Sequence, residues 1–276
     1  MITSLHNLHV KEAVKLRERR QRAKQGCTLI DGARELARAI SAGVELVDVF
    51  VCEPLCRSAD AQAAFDLIGQ TKATVLPVSP QVFTKLAFGE RAEGLLAVAK
   101  TPKRSLVELH LPANPLIAVV EDIEKPGNLG AVLRTADAAG VSAVIAAGHG
   151  TDLYNPNVIR ASLGTVFTLP VSAASAEETL RFLRRNQLRI YSARVDAPAL
   201  YTSVSFACPT AIVLGSESAG LSGAWHADDI VPIKLPMLGA ADSLNVSATA
   251  AVVFYEALRQ RTERIEERRD REKEGN

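Results

Sequence analysis

A chain of 276 residues, 47% hydrophobic and 23% charged, holds enough apolar material for one large domain or two ordinary ones. Its formal net charge of +1 gives no global attraction to a polyanion, and no apolar run reaches the ~20 residues of a membrane helix, so no membrane association is expected. No secretory leader is evident, and Cys27, Cys52, Cys56 and Cys208 form no C-x-x-C pair, so free thiols in a cytoplasmic protein are expected, with no metal site.

Residues 1–26 carry seven Lys/Arg against two acids, a local excess of +5. A helix with that charge suits a phosphate backbone or is a solvated face, and charge alone weighs the two equally. Beyond it, elements alternate. Strands are expected at 27–30, 46–52, 74–78 and 94–99, and helices at 32–41, 61–70 and 80–86, with Asp31 capping the first helix. This makes a small two- or three-layer α/β module over 1–100. Three prolines within 101–115 suit a linker.

The remainder alternates again. Strands are expected at 116–120, 143–147, 165–169, 189–192, 210–214 and 230–235, and helices at 129–139, 157–163, 176–186 and 247–261. Near-continuous apolar strands such as Ile117-Ala-Val-Val and Ala211-Ile-Val-Leu indicate a parallel sheet with helices on both faces. The domain is bounded as 116–265, with a charged tail over 266–276 that carries little functional signal.

Three segments carry chemistry. In Pro126-Gly-Asn-Leu-Gly-Ala-Val-Leu-Arg-Thr-Ala136, Leu129, Val132, Leu133 and Ala136 form a buried stripe, Asn128 is a candidate N-cap and Gly140 a stop. Arg134 lies about 100° round from Leu133 and leaves that stripe. There it can grip a phosphate or make a surface salt bridge. Leu214-Gly-Ser-Glu-Ser-Ala-Gly-Leu221 puts glycines at a strand end, where α/β sheets bind ligands, with Glu217 as an acceptor beside them. It is neither a P-loop nor a dinucleotide fingerprint. Pro236-Met-Leu-Gly-Ala-Ala-Asp-Ser-Leu-Asn-Val-Ser247 threads Ser243, Asn245 and Ser247 through apolar residues just before a helix. A cap explains one polar residue there; three suggest a buried, ligand-lined turn.

In this order and spacing the three segments resemble the SpoU (TrmH) family of S-adenosylmethionine-dependent RNA ribose 2′-O-methyltransferases, of the SPOUT class. The resemblance covers roughly 116–260. A looser one, carried by Thr28-Leu-Ile-Asp-Gly-Ala-Arg-Glu-Leu and Glu93-Gly-Leu-Leu-Ala-Val-Ala, likens 1–100 to the family's RNA-binding substrate domain. The resemblance implies a C-terminal trefoil knot, which periodicity does not show. It also implies a cofactor pocket at Gly215, Leu235 and Leu244, with Met237, Ser243 and Val246 beside it. Asn128, Arg134, Glu217 and Asn245 match the catalytic-centre positions. A guanidinium scarcely deprotonates, so Arg134 is read as a phosphate anchor and oxyanion stabiliser, not a base. Arg160 and Ser162, in a further family-like segment, and Arg19 and Arg20 are the candidate RNA contacts. A homodimer is implied, with Arg134 serving the partner's site and Val252, Val253, Phe254 and Leu258 as either interface or core. Ribosomal RNA is the expected substrate. The alternatives are transfer RNA, or a non-catalytic RNA-binding or ribosome-assembly role.

Overall fold

The computed structural model describes residues 1–88, 93–148 and 152–274, with side chains to residue 266. The elements of the first part are α1 (Leu8–Lys15), α2 (Arg19–Gln25), β1 (Cys27–Asp31), α3 (Ala33–Ser41), β2 (Leu46–Val51), α4 (Ala59–Ile68), β3 (Thr74–Pro77), α5 (Pro80–Leu86) and β4 (Leu95–Lys100). There follow β5 (Leu116–Glu121), α6 (Pro126–Ala138), β6 (Ala143–Ala147), α7 (Pro156–Ala161), α8 (Thr165–Thr168), β7 (Val171–Ala174), α9 (Ala176–Arg185), β8 (Arg189–Ala193), β9 (Ala199–Leu200), β10 (Thr210–Leu214), β11 (Ile230–Lys234) and α10 (Val246–Glu274). They form two units, Met1–Lys103 with Asp152–Thr168, and Arg104–Thr151 with Leu169–Asn276.

The first unit is built on a four-stranded sheet of order β1-β4-β2-β3, antiparallel except for β2 and β3. Every residue of β1 is buried, so both faces are covered and the three-layer form holds. Val10 and Ala13 of α1 and Val82, Phe83 and Leu86 of α5 pack with Leu29, Phe50 and Leu96 on one side. On the other, α3 packs on β1 and β4 and against α4.

Two expectations change here. Asp31 does not cap α3. Its Oδ2 accepts from Phe88 N at 3.1 Å and Arg160 Nη1 at 3.2 Å, while Ala33 N donates to Glu93 Oε2 at 2.8 Å. The strand expected at 165–169 is the short helix α8, and the true strand β7 begins after Pro170. Short apolar runs do not distinguish the two by periodicity. Here Leu163 and Gly164 adopt φ of 53° and 80°, and Thr165 Oγ1 donates back to Ser162 O at 3.0 Å, which favours a turn.

The segment 152–168 was expected inside the C-terminal domain but packs in the first unit. Thr28 Oγ1 donates to Tyr154 O at 2.6 Å, Arg22 binds Asp152, and Arg38 donates to Leu163 O. Gly164 lies so near α3 that an added Cβ would sit 2.9 Å from Glu35 Cα.

The second unit carries a seven-stranded, wholly parallel sheet of order β7-β6-β5-β10-β8-β11-β9. β5, β6 and β10 are buried at every residue, as a doubly covered parallel sheet requires. α6 packs against α10. Trp225, Leu180 and Leu183 pack with Ile117, Ile145 and Val213 in a core to which Leu106, Leu109 and Leu111 add. Much of the expected linker therefore belongs to this unit. Val253 and Phe254 are fully buried core, which removes them as interface candidates, and Val252 is exposed.

α10 runs on past 261, the expected end, to Glu274. Arg261 fastens it by donating to the carbonyls of Phe206, Asn114, Pro115 and Cys208 at 2.7–3.0 Å. The side chains of most of the expected charged tail lie outside the described residues. Among the described residues no helix is long and apolar enough to cross a membrane, no group of His, Cys, Asp and Glu could hold a metal ion, and all four cysteines are free.

Gly164→Ala combines a side chain at positive φ, costing roughly 1–2 kcal/mol, with overpacking that costs about 1–3 kcal/mol. The expected loss of folding stability is therefore about 2–5 kcal/mol, read from the shift in denaturant midpoint. A neutral substitution would show that 152–168 does not pack on α3.

Candidate active site

Leu214 of β10 pairs with Val120 of β5, so Gly215 and Glu121 follow side by side at the C-terminal edge of the sheet. The chain after β10 doubles back at once. Ser216 N donates to Gly220 O at 3.2 Å and Gly220 N to Ser216 O at 3.0 Å. A Cβ on Gly215 would sit 2.4 Å from the Gly220 carbonyl, so only glycine allows this crossing. Gly220 has φ 67°, which also favours glycine. The turn carries Glu217 at its exposed tip.

Asn128 was expected to cap α6. The helix instead opens three residues earlier than expected, at Pro126, whose missing N–H suits a first turn. Asn128 thus sits inside the helix with its amide free for other work. Its Nδ2 donates to Glu217 Oε1, and its Oδ1 accepts from Asn245 Nδ2 at 3.2 Å. Asn245 in turn accepts from Ser247 N at 2.9 Å and Ser247 Oγ at 2.6 Å, capping α10. Three of the four expected catalytic residues are therefore one hydrogen-bonded chain, drawn from α6, the β10 turn and the start of α10.

A cleft of about 610 Å³ opens beside this chain. Its lining includes all six residues expected at the cofactor: Gly215, Leu235, Met237, Ser243, Leu244 and Val246. Glu217 and Asn245 also line it. The cleft is of a size to hold a small organic cofactor. Its chemistry fits one too, with backbone exposed at a glycine, apolar walls and a few polar groups. The segment before α10 was expected to be buried. It is open instead, with Leu238 99% and Leu244 43% exposed, so its apolar side chains are not core here.

Sequence reasoning missed two features. The first is a charged wall of Arg194, Asp196, His226 and Lys234. Arg194 binds Asp196 through two bonds of 3.0 and 2.6 Å, and that hydrogen bonding holds the Asp196 carboxyl below its ordinary range. The second is Glu121, a buried carboxylate that accepts from Ser222 and Trp225. No local pattern marks either one, because each depends on strands far apart in the chain.

The other candidates fall elsewhere. Arg134 is exposed on α6, makes no hydrogen bond or ion pair among the described residues, and does not line the cleft of its own chain. Ser162 is fully buried and donates to Ile159 O at 3.0 Å, so it ends a helix and offers RNA no surface. Arg160 is engaged with buried Asp31. Arg19 and Arg20 are exposed on α2.

These placements separate stability from activity. Asn245→Ala removes a cap and is expected to cost about 1 kcal/mol. Arg134→Ala, which breaks no hydrogen bond or ion pair among the described residues, should stay within about 0.5 kcal/mol of the parent in the same denaturation experiment. A larger loss for Arg134→Ala would show a structural role.

Comparison with known proteins agrees with this geometry. The SpoU rRNA methylase family model matches residues 115–255, and the model of an MRM3-like substrate-binding domain matches 7–97. The chain is 34% identical over 194 residues to the 23S rRNA (guanosine-2′-O-)-methyltransferase RlmB of Bordetella pertussis, covering 68% of this chain and 78% of that one. A crystal structure described as an RNA 2′-O ribose methyltransferase superposes with a TM-score of 0.83 at 44% identity, over 95% of this chain and 99% of the other. The SpoU methyltransferase AviRb of Streptomyces viridochromogenes, solved with the cofactor AdoMet, gives a TM-score of 0.83 at 26% identity, over 93% of this chain and 99% of the other. With family motifs gathered at one cleft and a family model matching more than half its length, this chain belongs to the SpoU rRNA methylase family.

Proposed function

We propose that this chain transfers a methyl group from S-adenosylmethionine to a ribose 2′-hydroxyl of ribosomal RNA. The observation that carries the reading is the convergence at one cleft. The six cofactor residues line it, and the Asn128–Glu217–Asn245 chain stands at its edge. The RNA 2′-O-methyltransferases among its relatives, including one acting on 23S rRNA and one solved with AdoMet, support the substrate and the cofactor.

When bound, the cofactor supplies an activated methyl group on a sulfonium. The protein's own work is chiefly positioning. Gly215 gives the ligand access to the backbone, while Leu235, Met237, Leu244 and Val246 give apolar contact. Ser243 adds a hydroxyl at the same wall. Asn128 orients Glu217, and Asn245 fixes Asn128 from the cap of α10. Arg134 grips the phosphate beside the target ribose and stabilises negative charge growing on the oxygen. Arg134 is exposed and absent from its own cleft. That supports a homodimer in which it faces the cleft of a second copy. The exposed Arg19 and Arg20 and the match of 7–97 to a substrate-binding domain support RNA binding by the first unit. A cytoplasmic location goes with this reading, as the compartment in which ribosomal RNA would be met.

The test uses labelled S-adenosylmethionine with separate ribosomal and transfer RNA pools from cells lacking the protein. Label is expected as 2′-O-methyl in one ribosomal species, with kcat lowered about 100-fold or more in Arg134→Ala. Label in transfer RNA would keep the chemistry and overturn the substrate. Neither transfer nor cofactor binding would leave the non-catalytic reading. For the dimer, Arg134→Ala chains mixed with Asn245→Ala chains should regain activity, because one site of each mixed pair then has both residues. No recovery would place Arg134 at the cleft of its own chain.

A further inference from the structure

Glu121 ends β5, is 3% exposed, and none of the three sequence motifs contains it. Its Oε2 accepts from Ser222 N at 2.7 Å, and its Oε1 accepts from Ser222 Oγ at 2.7 Å and Trp225 Nε1 at 2.8 Å. Two segments leave the sheet edge here. Residues 121–128 run from β5 to Asn128. Residues 215–225 run from β10 through Glu217 to Trp225. They are tied twice, once by Asn128 to Glu217 and once by Glu121 to Ser222 and Trp225.

We propose that Glu121 is a positioning residue, whose carboxylate clamps 222–225 so that Glu217 is held against Asn128 and Leu221 against the cleft. The proposal rests on the methyl-transfer reading of that cleft. Three donors converge on this side chain, and an ionised carboxylate is the group that offers two oxygens and no hydrogen. Such charge-assisted bonds are shorter and roughly twice as strong as neutral ones. The other end of the turn is already fixed, by the Ser216–Gly220 pair and the crossing at Gly215. Glu217 lies within the turn closed by the Ser216–Gly220 pair, and Glu121 holds the segment on which that turn leaves, so loosening the clamp shifts the turn as a unit. A glutamine at 121 keeps the volume but turns an NH₂ toward one of the donors.

Full-length Glu121→Gln and Trp225→Phe test this, the second keeping an aromatic ring and removing only one donor. Amide hydrogen exchange over 216–222 is expected to quicken at least about tenfold in both, as loss of local protection. Turnover should fall about tenfold to a hundredfold, as small misplacements cost, with a smaller rise in the KM for S-adenosylmethionine. In a Glu217→Ala background, Glu121→Gln should add no further loss of kcat, since both changes act through one group. Unchanged exchange over 216–222, or losses that multiply in full, would overturn the clamp and leave Glu121 as an anchor of Trp225 alone. Should Glu121→Gln fail to fold, Trp225→Phe and Ser222→Ala decide by the same readings. Should the parent chain transfer no methyl group, the functional reading fails by itself, and the exchange comparison still decides the clamp.

Discussion

The site exists because β10 lies between β5 and β8. The chain lays down β5, β6 and β7 on one side and crosses to β8, leaving the central place for a strand that comes later. Neighbouring parallel strands lie about 4.8 Å apart. Pairing Leu214 with Val120 therefore sets the exits of two distant segments side by side. Asn128 and Glu217, 89 residues apart in sequence, meet as a consequence. Ligands of open α/β sheets bind where the strand order reverses, outside the carboxyl ends of the strands, and here the reversal lies around β10.

Stability and chemistry share groups at this edge. Asn245 caps α10 through its oxygen and holds Asn128 through its nitrogen. The cap fixes which way the amide faces, so helix formation also orients the site. A glycine at 215 lets the chain cross itself and leaves backbone at the wall of the cleft. Such double use explains why Ser-x-Asn-x-Ser exceeds what a cap alone requires.

The limits of the sequence follow from the same physics. The parallel sheet was legible because β-branched apolar runs such as Ile117-Ala-Val-Val and Ala211-Ile-Val-Leu alternate with helix-like segments. The six residues expected at the cofactor were singled out through their motifs, and all line one cleft. Asn128 was misread as a cap because Asn suits that position; only the tertiary partner Glu217 shows why it stands three residues past the cap, Lys125. The run 165–169 was misread because a five-residue apolar stretch fits strand and helix alike, and the strain at Leu163 and Gly164 is set by packing on α3. Glu121 was invisible, since its importance lies wholly in donors about 100 residues away.

The arginines sharpen the point. Arg17 donates to the carbonyls of Lys85, Leu86 and Ala87 at the end of α5, and Arg22 to those of Leu16 and Arg17. Arg261 donates to four carbonyls beneath α10, and burial lowers its pKa from the ordinary value. These three are parts of the fold, and the local excess of charge near the N-terminus overstates what is free to meet RNA. Arg134 is the opposite case. It sits on a well-packed helix, touches no carboxylate or carbonyl among the described residues, and is not needed to bury the stripe beneath it. A rotamer-rich side chain held on a rigid element without a partner contributes little to folding. Its placement fits the proposed role, in which its partner is a phosphate from outside the chain.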